Sequence, residues 1–286
     1  GGANHSQFNT AWGRLDSSLP KGLLLNHKQT IPRASQQEIT KIYLAAFLET
    51  VLHGRQDYLP LFRDYRFGGK WLPQACYISH FTGADYLPLL SFRRGGGTTN
   101  FAGGITAAAK GVSRFEVEAV SDRRGNSRGR DGVVLAWDEN AHYTVSLPAG
   151  YCRQHLPGIP AVLTFSLAVL EQDGPAAMRD DRTPEIEVEI KAGAAVRLPL
   201  DRFMPVPPVI YTQYCKIAPL DPYFRNGKYK VATEPVFQRF ELPLDTFARL
   251  NPDFNPADLR EITLHFSGGP GKIMLDGMGF YCTGSR

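Results

Sequence analysis

The sequence predicts a mainly β protein, an antiparallel two-sheet sandwich preceded by one long amphipathic helix. Three observations carry this. From about residue 105, apolar and polar residues alternate with period two in run after run, bounded by Gly, Pro, Asn or Asp. No amphipathic helix separates these runs, so the strands pair as antiparallel neighbours rather than as βαβ units. Before "SFRRGGGTTNFAGG" (91–104) the texture is different, with one strong helical period among irregular segments. At 286 residues there is room for two domains. The change of texture sets them at 1–90 and 105–286.

The helix is expected over 35–53, "SQQEITKIYLAAFLETVLH". Ser35 and Glu38 have the spacing of a capping box, in which each side chain satisfies a backbone donor left free by the first turn. Ile39, Ile42, Tyr43, Ala46, Phe47, Thr50 and Val51 recur at helical spacing, and Leu44, Leu48 and Leu52 widen the stripe. Gly54 supplies the left-handed residue after the last turn. A stripe that wide belongs against a sheet or a domain core. After it, "RQDYLPLFRDYRFGGKWLP" reads as a packed connector, and "ACYISHF" (75–81) as a short strand.

The strands follow in order: "VSRFEVEAV" (112–120), "GVVLAWD" (132–138), "HYTVSLP" (142–148), "AVLTFSLAVLEQ" (161–172) and "EIEVEIKA" (185–192). Then come "VIYTQYCKI" (209–217), "EPVFQRFELPL" (234–244), "EITLHFS" (261–267) and "KIMLDGMGFY" (272–281). "LDTFARLNP" (244–252) reads as a short surface helix, and "NPADLR" (255–260) as a turn before a strand.

Composition narrows the partners. The net charge is +4, only mildly basic. The arginines of "SDRRGNSRGRDG" (121–132) sit among Asp122, Asp131 and three glycines, as in a solvated hairpin tip. A nucleic-acid footprint would be a broader basic face. No run approaches the roughly 18 apolar residues of a membrane span. Cys76, Cys152, Cys215 and Cys282 make no CxxC pair, which argues against a zinc ribbon or a thioredoxin-like motif and leaves their redox state open. Neither a cofactor nor a metal is expected, and nothing in the chain points to a compartment.

The chain opens "GGANHSQFNTAWGRLD", with His5 in a turn of small residues, then a loop of about thirty residues, then the helix. Glycine-flanked His, loop and closing helix together resemble the end of an α/β-hydrolase catalytic domain of the lipase or esterase kind. In that family the triad runs Ser, then Asp or Glu, then His along the chain. The resemblance covers roughly residues 1–65 and implies that His5 is a catalytic base, with Phe8 and Trp12 lining an acyl or alcohol pocket. Imidazole suits the role because it titrates close enough to neutrality to take a serine's proton and return it to the leaving group. Ser6, Ser79, Ser91 and Ser113 lack the glycine spacing of a nucleophile elbow, and the G-x-S-x-G match at Gly125–Gly129 falls in the hairpin tip of 121–132 rather than at a strand-to-helix turn. The expectation is therefore a fragment of a serine carboxylic-ester hydrolase whose ester substrate meets a nucleophile and an acid lying upstream, so that this chain alone is inactive. Asn4 and Asn9 are expected to orient the loop through side-chain-to-backbone bonds.

The last segment, "REITLHFSGGPGKIMLDGMGFYC" (260–282), resembles the closing strands of jelly-roll domains of the carbohydrate-binding and galactose-binding-like kind. The resemblance implies a jelly roll and, as the alternative function, a non-catalytic module that binds a polysaccharide or other polymer surface. Asp276 is a candidate ligand for a structural cation or a partner of a neighbouring turn. Sugar-binding modules stack exposed aromatic faces on pyranose rings, and Trp137, Tyr143, Tyr211, Tyr214, Tyr223 and Tyr229 are candidates. Tyr211 and Tyr214, at odd separation in one strand, would face opposite sides. "IAPLDPYFRNGKYK" (217–230), with Tyr223, Phe224 and Tyr229, is the favoured ligand surface.

Overall fold

The computed structural model describes residues 2–12, 19–83, 85–156, 161–171, 183–225, 229 and 231–282. It divides into two compact units. One comprises Gly1–Phe81, Arg123–Gly125 and Tyr211–Ala232; the other comprises Thr82–Asp122, Asn126–Ile210 and Thr233–Arg286.

The second unit holds ten strands: β1 (Leu87–Leu90), β2 (Thr106–Lys110), β3 (Arg114–Ser121), β4 (Ser127–Trp137) and β5 (Ala141–Ser146). The others are β6 (Ala161–Val169), β7 (Glu185–Pro199), β8 (Gln238–Pro243), β9 (Phe254–Ser267) and β10 (Gly271–Cys282). One sheet runs β3-β4-β10-β6-β8, with β1 also paired to β10; the other runs β2-β5-β9-β7. Every ladder is antiparallel. Consecutive strands lie in opposite sheets throughout, except β3 and β4, which form a hairpin. This is the expected β-sandwich.

The core lies between the sheets. Trp137 of β4 stacks on Phe266 of β9 with ring centroids 4.5 Å apart, and Phe115 of β3 meets Tyr143 of β5 edge-on at 5.9 Å. Trp137 and Tyr143, candidates for sugar stacking, are thus core residues, both essentially inaccessible. Their strand parity puts them there: Tyr143 shares a face with Val145, and Trp137 with Leu135 and Val133. Burying side chains of this size stabilises by roughly 1.5–3 kcal/mol each. Gly271, opposite Trp137 in the ladder, leaves room for the indole, since a Cβ there would lie 2.3 Å from the ring.

The two sheets differ on their outer faces, and the sequence shows why. β6 is buried along almost its whole length, its Thr164 and Ser166 included, as in a sheet covered on both sides. Val120, Val134, Ala168, Phe237 and Met274 form a second apolar cluster behind it. In the four-stranded sheet, β5 alternates strictly between buried and half-buried residues, the pattern of a sheet with one face packed and one open.

Several expectations change. The helix Leu244–Ala248 is not a surface element: Leu244 and Phe247 are fully buried, and Phe247 stacks between Phe203 and Phe254 at 5.7 and 5.9 Å. The stretch 255–260 is no turn but part of β9. β7 carries Gly193 at φ +79°, and Arg197 makes an ion pair with Glu187 ten residues earlier. Ten extended residues would separate those side chains by roughly 33 Å, so the chain doubles back near Gly193. Gln172, the last residue of the expected strand 161–172, lies outside the described residues.

In the first unit, helix α1 spans Arg33–Leu52, two residues longer at its start than the capping box implied. Pro32 occupies the cap position with no side-chain cap, and Ser35 lies within the helix. Gly54 follows at φ +67° as expected. The expected strand 209–217 does not form. A single bridge joins Leu25 to Cys215, and Gln29 stands in for a strand neighbour, its Nε2 donating to the Tyr211 carbonyl at 3.0 Å. Its Oε1 accepts from the Gln213 amide, also at 3.0 Å. Tyr211 and Tyr214 are both half-buried in this loop, so the odd-spacing argument does not apply to them. Residues 75–81 are likewise extended without a ladder; Tyr77 stacks on Tyr65 at 5.5 Å and donates its hydroxyl to the Pro73 carbonyl.

Candidate functional site

The open face of the four-stranded sheet gathers polar side chains that the sequence scatters over more than 150 residues. Cross-strand register sets them in three rows. The first is Lys110–His142–His265–Glu187, the second Ala108–Thr144–Thr263–Glu189, and the third Thr106–Ser146–Glu261–Lys191. Adjacent strands are about 4.8 Å apart and alternate residues about 6.7 Å apart, so the patch measures roughly 14 by 14 Å.

Hydrogen bonds and ion pairs order it. The hydroxyls of Thr144 and Thr263 lie 3.0 Å apart at the centre. Lys191 Nζ is 3.5 Å from Glu261, and Arg197 pairs with Glu187, so the cations of the β7 edge are matched by carboxylates. The rings of His142 and His265 face each other across the ladder with centroids 6.0 Å apart, and His265 Nε2 is 3.4 Å from Glu189 Oε2. Burial above all, then Arg197 and His142, hold the His265 imidazole below its ordinary range, against the opposing pull of Glu189 and Glu187. The imidazole is therefore neutral at pH 7, with a donor and an acceptor nitrogen. Thr263 at the centre is only 8% exposed, and it is the exposed Thr106, Lys110 and Lys191 with the half-buried His142, Thr144, Ser146 and Glu189 that can exchange hydrogen bonds with a polyhydroxylated ligand. None of these residues was singled out from the sequence. The signal was the strict alternation of "AHYTVS" and "EIEVEI"; what was missing was the strand order that brings them together.

The residues that were singled out lie elsewhere. His5 is exposed in a short 3-10 turn, His5–Phe8, with its ring 6.0 Å from that of Trp12. The turn is pinned to α1: the buried Gln36 accepts from the Asn4 amide at 2.9 Å and donates to its carbonyl at 2.7 Å. Asn9 orders the loop as expected, its Oδ1 accepting from the amides of Ala11 and Trp12. Phe8 and Trp12 are 52% and 58% exposed, beside the same turn.

Tyr223, Phe224 and Tyr229 belong to the first unit, not to the sandwich. Tyr223 is 78% exposed, at the short helix Asp221–Arg225. Asp221 is buried there, its Oδ1 accepting from the Cys215 amide at 2.7 Å. Tyr229 carries the Arg123 guanidinium over its ring at 4.4 Å, which occupies one stacking face. Residues 226–228 and 230 of this loop lie outside the described residues.

Asp276 accepts from Arg130 at 2.9 Å, so its carboxylate serves an ion pair rather than a cation, and Arg128 pairs with Glu234. Cys76, Cys152 and Cys215 are free thiols; burial pushes the Cys152 thiol up to about 11. No helix among the described residues is long and apolar enough to cross a membrane. No group of His, Cys, Asp and Glu among the described residues could hold a metal ion.

No family model matches this chain, and no curated protein does. Among solved structures, a family 11 carbohydrate-binding module from a cellulosomal cellulase of Clostridium thermocellum is similar at 10% identity and TM-score 0.38, over 72% of this chain and 99% of that one. A family 30 carbohydrate-binding module of a second Clostridium thermocellum cellulosomal cellulase gives 8% identity and TM-score 0.39, over 65% and 96%. An exo-β-agarase gives 10% identity and TM-score 0.43, over 70% of this chain and 25% of its own. With TM-scores below one half, these likenesses assign no ligand to this chain.

Proposed function

We propose that the sandwich is a non-catalytic module that holds a polysaccharide, or a polymer of similar chemistry, on the open face of its four-stranded sheet. The observation that carries this reading is the three-row polar surface between β2 and β7. It is four strands wide and built from hydroxyls, imidazoles and paired charges, which suits an extended chain of hydroxyl groups better than an enclosed small molecule. Affinity electrophoresis against a panel of soluble polysaccharides tests it. Retardation by at least one of them, lost when Thr144 and Thr263 are both replaced by Val, is the expected result. Unaltered migration across the whole panel would overturn the reading.

A second reading is favoured by a different observation. Leu44, Phe47, Leu48, Val51 and Leu52 leave the outer side of α1 apolar and exposed. A helix of that kind normally buries such a stripe. In this reading the first unit is the closing part of a serine-hydrolase catalytic domain, with His5 as the base and Phe8 and Trp12 beside the ester substrate. The chain itself should then show no turnover of p-nitrophenyl acyl esters beyond that of free imidazole. Turnover abolished by a serine-directed phosphonate would mean that a complete triad lies within these residues, against this reading.

A further inference from the structure

The polar face of the sandwich has an unusual composition for a surface meant to hold sugar. Among the described residues of β2, β5, β9 and β7, every aromatic ring other than the two imidazoles is buried: Tyr143, Phe254 and Phe266 all point inward. His142 and His265 are therefore the only rings these strands offer to a ligand. They sit side by side, tilted 39° to one another, directly opposite in the ladder.

The charges around them are equally specific. β7 brings Glu187, Glu189 and Arg197 against His265, β9 carries Glu261 two rows away, and β2 places Lys110 opposite His142. Arg197 and Lys191 are already matched by Glu187 and Glu261. A carboxylated or sulfated polymer would meet this edge carboxylate against anion, with its cations committed. A neutral sugar can instead donate hydroxyl hydrogens to Glu189 and lay its C–H face on the rings.

We propose that a neutral sugar ring seats on the His142–His265 pair, so that this face selects neutral over acidic polysaccharides and releases them on acidification. This rests on the polymer-binding reading above and names its ligand class and its control. Protonation of His265 would place positive charge beside Arg197 and draw Glu189 into a tighter pair with His265, removing the acceptor the sugar needs. The ring face would also lose its attraction for C–H groups.

The test uses the intact chain. Affinity electrophoresis and calorimetry would compare neutral glycans (a mixed-linked β-glucan, a xylan, a galactan) with polygalacturonate and alginate, near pH 7.5 and near pH 5. Variants would be His142→Ala, His265→Ala and the corresponding Gln substitutions, with Lys70→Ala, an exposed site in the first unit, as a control. Expected are retention by a neutral glycan only, and weakening of about three- to tenfold in each Ala variant, the size of one ring contact. The weakening near pH 5 should disappear in the double Gln variant. Melting curves would confirm that each variant is folded, and the Gln pair keeps the test open should an Ala variant not be. Binding of neutral glycan unchanged in both His variants, or preference for an acidic glycan, would overturn this inference and leave the polymer-binding reading standing. Absence of retention by any glycan at either pH would bring down both.

Discussion

At the scale of single residues, the tightest constraint is Gly271. It faces Trp137 across the ladder, and the indole occupies the space where a side chain would stand. Gly271→Ala should therefore displace Trp137 from its stack on Phe266 and destabilise the sandwich by about 1–3 kcal/mol, as overpacking does. Thermal melting checks this; an unchanged melting temperature would mean that the ring moves aside freely. His265 makes a prediction of another kind. Its imidazole is held below the ordinary value of 6.5, so the folded state binds its proton less readily than the unfolded chain does. Its contribution is whole above about pH 6.5 and is lost as pH falls through the folded-state value. Stability measured by urea denaturation should fall across that window, and less steeply in His265→Gln; equal slopes would remove the linkage.

At the scale of elements, α1 is two-sided. Ala46 is buried and Tyr43 packs edge-on against Phe62 at 6.0 Å, while Phe47 and Val51 lie on the exposed side. Replacing Phe47 and Val51 together by Lys should change stability by no more than about 0.5 kcal/mol, the usual range for surface sites. The same change should reduce self-association on size exclusion. A large loss of stability would show that this side is packed after all. How far the elements could be read from sequence depends on where each finds its partners. β5 was legible because one face packs on the core and the other stays open, which writes strict alternation into its sequence. "VIYTQYCKI" has strand composition but meets Leu24–Gln29, a loop whose side chains satisfy its backbone, and composition does not report that. β2, "TAAAK", lacks the branched residues that mark a strand and is held by pairing with β5. The open face escaped because Thr144 and Thr263, 119 residues apart, become neighbours only through the sheet order. Trp137 and Tyr143 drew attention as aromatics, although parity with Val133 and Val145 already placed them inside.

At the scale of the whole molecule, the alternation of strands between sheets makes most contacts non-local. Sandwiches of this kind fold in milliseconds to seconds because loop closure must precede the contacts that reward it. Stopped-flow refolding followed by Trp137 fluorescence should show its main phase in that range. A microsecond phase carrying the full amplitude would contradict the topology.

The return of Tyr211–Ala232 to the first unit has a consequence for the order of events on the ribosome. A unit assembled from the first 81 residues alone could finish folding long before the rest emerged. Here Leu24, Leu25, Asn26 and Gln29 wait for the backbone of residues 211–216, which leaves the exit tunnel only after seven of the ten strands have been made. The exposed helix must therefore persist beside an unfinished unit while residues 53–216 are made, at elongation rates of about 5–20 residues per second. That leaves roughly ten to forty seconds in which chaperones have the opportunity to bind it.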